Sequence, residues 1–317
     1  MSVRTSPAGR FRALDLAPTT FASLALATAA ALYVIVVTGS VVRLTSSGLG
    51  CESWPGCEAG AFFPASDSHA FIEFGNRVVG LVPILLTLAT WLAARLLRGL
   101  PRWGVRVALA TFLGTLAQAP LGLLTIHFDL HPLLVMSHFL LALVVLAGGI
   151  VVALEAWRLV HGGAEPLVPV ELRRAGLVLA GACLALVVSG TFTTAAGPHS
   201  GGADIRRLGS LDGALWVHVR MTALFGCVFL FVLGYLAARR DRSPRLFALM
   251  LALLALLGAQ MAVGEIQWRA ELPWGLVVVH VGLAAAVWGA VVALATLLWR
   301  PVAALAHFPD RPLAPTR

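Results

Sequence analysis

The chain has 317 residues, 59% of them hydrophobic and only 12% charged, with a mean hydropathy of +0.89. No soluble domain of this length needs so much apolar surface, so composition excludes a water-soluble enzyme or binding module and leaves a polytopic membrane protein. The net charge of +8 invites a nucleic-acid reading, but the arginines alternate from loop to loop, which is a topology signal and not a phosphate-binding one.

Residues 1–20 form a tail with Arg4, Arg10 and Arg12, and the first charge-free span follows at Phe21–Val42. That span is too long for a signal-peptide core and is read as a membrane helix. The next loop holds Cys51-Glu52-Ser53-Trp54-Pro55-Gly56-Cys57. An exported loop meets oxidising conditions, and a short gap containing Pro-Gly can fold back to disulfide distance; free thiols or a metal site are the alternatives. Ile72-Glu73-Phe74-Gly75-Asn76-Arg77 leads into the second span, Val78–Ala94, and Arg95, Arg98, Arg102 and Arg106 join it to the third, Val107–Phe128. The fourth span, Pro132–Leu154, contains His138, and residues 157–174 form a linker with Arg158, Arg173 and Arg174.

The second half repeats this plan. The fifth span is Ala175–Thr194, followed by Gly197-Pro198-His199-Ser200-Gly201. His218 precedes the sixth span, Met221–Ala238. Arg239, Arg240, Arg242 and Arg245 lead to the seventh, Leu246–Gly264. The eighth, Leu272–Trp299, contains His280 and is followed by Arg300 and a tail over 301–317. Each span reaches or approaches the ~20 residues a membrane crossing needs. The loops between the basic ones hold most of the loop carboxylates, including Glu52, Glu58, Asp67, Asp129 and Glu271, so both termini are expected in the cytoplasm.

Five polar or glycine positions recur at one offset of 142: Asn76, Gln118, Gly122, Asp129 and His138 correspond to His218, Gln260, Gly264, Glu271 and His280. A constant offset inside otherwise plain Leu/Ala/Val segments indicates a duplicated unit, so the predicted fold is an all-α integral membrane protein of eight helices in two pseudo-symmetric four-helix bundles. His138, His218 and His280 each fall near the start of an outward-to-inward helix. Ionisable groups at membrane depth point to function, and imidazoles on facing helices of a bundle are the usual axial ligands of heme iron. A lone histidine there would be read as a satisfied polar residue; three related by duplication favour ligation. His161 and His307 are read as solvated, and His127, His131 and His199 as polar loop residues near the headgroups. His69 precedes Glu73 by one turn and shares its face. Glu73 precedes Asn76 by three residues; its carboxylate suits proton transfer, with an ion pair to Arg77 or Arg43 as the structural alternative. Cys183 and Cys227, inside spans five and six, are read as small packing residues.

The run Thr38-Gly39-Ser40-Val41-Val42-Arg43-Leu44-Thr45-Ser46-Ser47-Gly48-Leu49-Gly50-Cys51, with Trp54-Pro55 and Cys57 after it, resembles the first-loop signature of the heme A synthase family. Ile72-Glu73 with Asn76-Arg77, the Gln118 and Gly122 pair, and Gly197-Pro198-His199 resemble it too, and the likeness extends from about residue 20 to about residue 300.

The resemblance implies two similar bundles, residues 21–156 and 175–300, each offering a heme pocket toward the outer face of the cell membrane. It implies that His218 and His280 ligate the iron of a permanent heme b. The first bundle would receive the substrate, heme O, with His138 on one face of the iron and Glu73 near the reacting methyl group. The implied reaction oxidises the C8 methyl of heme O to a formyl group, giving heme A for terminal oxidases. In the family it proceeds by successive hydroxylations and loss of water from the geminal diol, with electrons leaving through the second heme to an electron acceptor the residues do not specify. Heme O synthase is the implied protein neighbour, membrane lipid the surroundings, and no nucleic acid is involved. The family's first-loop cysteine pair is often a disulfide, which here would be Cys51–Cys57.

One position departs from the pattern, because many members carry histidine where this chain has Asn76. Asn is a poor iron ligand, so the first pocket offers His138 alone of the usual pair. Two other readings compete. A di-heme electron carrier would favour two closed sites, against the asymmetry of Asn76 and His218, and a transporter would show broken helices, for which Pro120, facing Ala262 in the repeat, is slim support.

Overall fold

Hydropathy locates the crossings, but the helices run past them wherever a polar side chain is sheltered inside a bundle. The structure is a computed structural model that describes residues 16–199, 201 and 205–306. Arg4, Arg10, Arg12 and His307 lie outside the described residues. The first bundle comprises α1 (Pro18–Leu44), α2 (Ser68–Leu96), α3 (Arg102–His127) and α4 (Pro132–His161). The second comprises α5 (Val170–Ala196), α6 (Leu211–Ala238), α7 (Pro244–Arg269) and α8 (Trp274–Trp299), and a short α9 (Ala303–Ala306) follows. At 1.5 Å per residue the eight long helices measure roughly 39–45 Å, more than the hydrocarbon thickness. All eight are apolar enough to span a membrane, and the protein is a multi-pass, all-helical membrane protein.

Two helices begin about three turns ahead of their apolar stretches. α2 starts at Ser68 and not Val78, with Asp67 accepting a hydrogen bond from Ala70 N (3.1 Å) as its cap. α6 starts at Leu211 and not Met221, with Ser210 accepting from Gly213 N (3.3 Å). The added turns carry Glu73, Asn76 and Arg77 in one half and His218 in the other, residues that end a hydropathy window without ending a helix. α4 likewise continues to His161, so the connection to α5 covers 162–169.

In each bundle consecutive helices pack in a ring, α1 against α2 and α4, α3 against α2 and α4, and the same for α5 to α8. The ring places α2 diagonally across from α4, and α6 across from α8. The 142-residue offset reappears in three dimensions, since α3 and α7 begin and end at equivalent positions. After each comes the same turn. Asp129 and Leu130 have φ of 46° and 54°, Glu271 and Leu272 φ of 60° and 61°, a left-handed conformation rare for leucine. Leu130 N donates to Thr125 O (2.8 Å), and Leu272 N to Gln267 O (2.7 Å). Helices α3 and α2 pass through Pro120 and Pro83 without a break, which removes the broken-helix geometry a transporter would show.

The bundles meet through α1 and α4 against α8. One apolar cluster runs across them, joining Leu143 and Leu146 of α4 to Trp288 and Val291 of α8 and on to Phe225 and Phe229 of α6. Trp288 Nε1 donates to Leu143 O (2.9 Å), and Tyr33 OH on α1 donates to Gly282 O on α8 (3.2 Å). Leu81, Leu85, Leu230 and Phe231 point outward, as expected of lipid-facing positions. At the end where α1 begins and α8 ends, Glu155 of α4 is buried and forms an ion pair with Arg300 beyond α8, whose guanidinium stacks 4.9 Å from the Trp103 ring. Replacing Arg300 by Leu leaves the Glu155 carboxylate uncompensated, so stability should fall by about 2–3 kcal/mol, below the fully buried case because Arg300 is partly exposed. Thermal unfolding of the purified protein measures this, and Glu155→Gln in the same background should recover most of the loss.

Candidate functional site

His138, His280 and His218 each lie about two turns into a helix that starts at the end of the bundle where α1 and α5 finish, so their depths agree. Each ring lies against a glycine of the neighbouring helix. A Cβ built on Gly122 of α3 would come 3.5 Å from His138 Cε1, and one on Gly264 of α7 would come 3.0 Å from His280 Cε1. On Gly190 of α5 it would come 3.1 Å from His218 Cε1, with Nδ1 at 3.6 Å. A side chain at Gly264 or Gly190 would crowd the ring beside it, whereas at Gly122 a Cβ would make an ordinary contact with His138.

The hydrogen bonds around the rings leave some capacity unused. Ser189 Oγ bonds His218 Nδ1 at 2.9 Å, which leaves Nε2 free to act as a ligand. Gln260 Nε2 bonds His280 Nε2 at 3.2 Å, whereas its repeat partner Gln118 donates to the backbone carbonyl of His138 at 3.2 Å. The buried His138 Nδ1, His280 Nδ1, Gln118 Oε1, Gln260 Oε1 and Asn76 Oδ1 have no partner. Buried polar atoms are normally satisfied, so this concentration in two corresponding places makes both bundle interiors candidate binding sites. The geometry puts Asn76 on α2 diagonally opposite α4 with His138, as it puts His218 on α6 opposite α8 with His280.

Sequence reasoning paired the halves at an offset of 142 but missed that α1 and α5 obey another. Thr38-Gly39-Ser40 corresponds to Ser189-Gly190-Thr191, 151 positions on, because the α1–α2 connection (45–67) is longer than the α5–α6 one (197–210). The wall behind His218 and its hydroxyl partner, Gly190 and Ser189, were therefore overlooked. Reading the two small-residue triplets against each other would have found them. In the first half the equivalent wall is Gly39, and a Cβ there meets nothing within 4 Å. The shorter Asn76 leaves the space that an imidazole fills in the second half.

The longer connection has its own function. Cys51 and Cys57 form a disulfide (S–S 2.07 Å) buried with Ala70 and Phe74. Glu73, only 4% exposed, faces this loop: Oε2 accepts from Cys51 N (2.9 Å) and Oε1 is paired with Arg77. Arg77 Nη1 donates in turn to Ser53 O (2.8 Å) and Gly56 O (2.5 Å). Glu73 and Arg77 thus fasten the disulfide loop to α2, one turn from Asn76. Of the two arginines considered as partners for Glu73, Arg77 takes the position, and Arg43 makes no ion pair among the described residues. His69 bonds Ser47 Oγ through Nδ1 (2.9 Å) in the same loop anchor.

The remaining histidines lie away from both interiors. His127 is exposed and edge-on to Phe128, and His131 is the first residue before α4. His161 is exposed with Nδ1 on Trp157 O (3.1 Å). His199 bonds Leu272 O through Nε2 (2.6 Å), joining the α5–α6 and α7–α8 connections. Cys183 is buried and Cys227 exposed on α6.

The model of a family described as cytochrome oxidase assembly protein (COX15-CtaA) matches residues 22–292. The heme A synthase of Symbiobacterium thermophilum is 29% identical over 288 residues, covering 85% of this chain and 92% of that protein. The heme A synthase of Shewanella oneidensis is 28% identical over 297 residues, covering 79% and 88%. A protoheme IX farnesyltransferase of Thermus thermophilus is 31% identical over 286 residues, which make up 80% of this chain but 44% of that protein.

The loop geometry makes a direct prediction. Cys51 and Cys57 should stay unreactive to a maleimide when membranes are denatured without reductant and should label once reductant is added. Labelling of both before reduction would remove the bridge.

Proposed function

Because this chain belongs to the cytochrome oxidase assembly protein family (COX15-CtaA), matched over residues 22–292, we propose that it is a membrane oxidoreductase converting heme O to heme A. The observation that carries the reading is the set of three imidazoles at one depth, each beside a glycine of the neighbouring helix, with unpartnered buried polar atoms around them in both bundles. The names of its relatives from Symbiobacterium and Shewanella support heme A as the product. The Thermus protein, less than half of which resembles this chain, supports a prenylated heme as substrate and a heme-farnesylating enzyme, heme O synthase, as the neighbour that supplies it.

The assigned roles follow from the asymmetry of the halves. His218 and His280 would hold a resident heme b in the second bundle, one from each diagonal helix, with Ser189 fixing the His218 tautomer. That group supplies one-electron redox chemistry when bound. The first bundle would bind heme O on His138 alone, because Asn76 is too short and too weak a ligand to close the opposite face. Glu73 is assigned to proton transfer near the reacting C8 methyl, which becomes a formyl group, while its pairing with Arg77 keeps the carboxylate beside the pocket. The alternation of basic loops supports cytoplasmic termini and heme sites toward the outer face of the cell membrane.

Extraction and chromatography of the bound hemes tests the function. Heme B together with heme O or heme A is the expected result; heme B alone would make the chain an electron carrier, and no heme would overturn both. His218→Ala and His280→Ala should each abolish the low-spin spectrum of the resident heme, since no neighbouring imidazole replaces the lost bond.

Glu73→Gln keeps the shape and loses the ionisable group. It should leave total heme near normal and stop formyl formation, read by the heme A to heme O ratio. Unchanged heme A would confine Glu73 to anchoring the disulfide loop.

Asn76→His should fill the space over Gly39. A heme bound in the first bundle should then shift from a high-spin, five-coordinate spectrum toward a low-spin, six-coordinate one. No spectral change in heme-O-loaded protein would show that residue 76 does not face the iron.

A further inference from the structure

One charged group in the first bundle is left over by every interaction described so far. Arg43 sits in the last turn of α1, on the stripe that includes the buried Leu32, Val36 and Ser40. This stripe faces the bundle interior: Leu32 packs against Gly149 of α4, and Thr28, one turn earlier, bonds Thr90 of α2 at 2.7 Å. The Arg43 Nε and Nη2 atoms are buried with no hydrogen-bond partner, and no carboxylate pairs with it among the described residues. Glu73, the carboxylate for which the sequence offers Arg43 as a partner, is taken by Arg77 and Cys51 N. A buried guanidinium with unused donors calls for an anion, because its planar fork is built for a carboxylate or phosphate.

Helix geometry says where that anion sits. Side chains on a helix lean toward its N-terminus, so Arg43 leans toward the turn containing Gly39, where a Cβ would meet no atom of Arg43 or of any other described residue within 4 Å. Gly39 corresponds to Gly190, the wall of the His218 ring, so this open space is the α1 side of the first pocket. The second half has Thr194 at the equivalent of Arg43, and its hydroxyl is used internally on Gly190 O (3.0 Å). The cationic position therefore belongs to the first bundle alone.

We infer that Arg43 is the anion-binding residue of the first pocket and takes a carboxylate of the porphyrin bound there. The inference rests on reading the first bundle as a heme pocket and adds what orients its ligand. A heme whose iron was held by one imidazole alone would be free to rotate about that bond. A carboxylate held by Arg43 fixes the rotation, and with it which edge of the ring meets Glu73. A phosphate headgroup would satisfy the same guanidinium, but the stripe faces the bundle interior and not lipid.

The test uses the purified full chain carrying its resident heme, titrated with hemin as the free acid and as its dimethyl ester. The wild type should bind the free acid about tenfold or more tightly than the ester, the range of a hydrogen bond to a charged group. Arg43→Leu should weaken the free acid to the level of the ester and leave the ester unchanged, and Arg43→Lys should recover part of the preference. The resident heme spectrum and the melting temperature before titration should not fall in Arg43→Leu, since the variant removes an uncompensated buried charge. Equal binding of acid and ester by the wild type, while the added heme still responds to His138→Ala, would overturn the assignment of Arg43 and leave the guanidinium to a lipid headgroup. An added heme whose spectrum ignores His138→Ala would overturn the first-pocket reading instead. A lower melting temperature with an intact acid-over-ester preference would make Arg43 structural and overturn the inference.

Discussion

An imidazole two turns inside a membrane helix needs both a reason to be there and a surface to lie against, and the rest of this molecule is arranged around that requirement. Glycine supplies the surface. Gly122, Gly264 and Gly190 each leave room for a histidine ring where a side chain would stand, within 3.0–3.5 Å of a Cβ built there. A glycine in a helix interior costs about 1 kcal/mol relative to alanine. That three of them occur at the same depth, each against a histidine, means the loss is offset by something the rings do. The partners of those rings are sparse: one serine on His218, one glutamine on His280, and for His138 only contacts to its backbone. Sparse partners leave ring nitrogens available, which suits the ligand role proposed for them.

The two halves then diverge from a common plan through a single change of length. From α2 onward they keep register, down to the paired left-handed turns at Asp129–Leu130 and Glu271–Leu272. Between α1 and α2 the first half inserts extra chain, and the disulfide, the Glu73–Arg77 pair and the Ser47–His69 contact all serve to hold that insertion against α2. The second half has a plain α5–α6 connection whose His199 reaches the Leu272 carbonyl. Chemical complexity thus accumulates over one bundle. In the proposed assignment that bundle receives the reacting molecule, while the simpler one holds a permanent group that must only stay put.

Much of this was legible in the residues. Charge-free runs gave eight crossings, and a fixed offset between Asn76 and His218, Gln118 and Gln260, and His138 and His280 gave the two bundles. The ends of α2 and α6 were not legible, because hydropathy measures exposure to lipid and the polar residues in those turns face protein. Ser189 and Gly190 were hidden for another reason: the longer first loop shifts α1 against α5, so an offset that works for three helices fails for the fourth. The partner of Glu73 could not be settled from spacing, since Arg43 and Arg77 both lay within reach on paper. Only the fold shows Arg77 bridging the carboxylate to Ser53 and Gly56 while Arg43 turns to the interior.

The space over Gly39 follows from the same logic. Duplication gives a molecule two equivalent pockets, and equivalent pockets do equivalent things. To separate a resident group from a reacting one, the pair must be made unequal at a position that touches the ligand. Here histidine stands at one such position and asparagine at the other, opposite walls that remain glycine in both, so the room for a second imidazole persists where the imidazole is gone. On the proposed assignment the amide would leave room beside a heme in the first bundle, lined by a polar oxygen that has no other partner. In the proposed assignment, two imidazoles in one bundle and a single one in the other would divide storage of electrons from chemistry on a substrate, with no change in the fold that carries both.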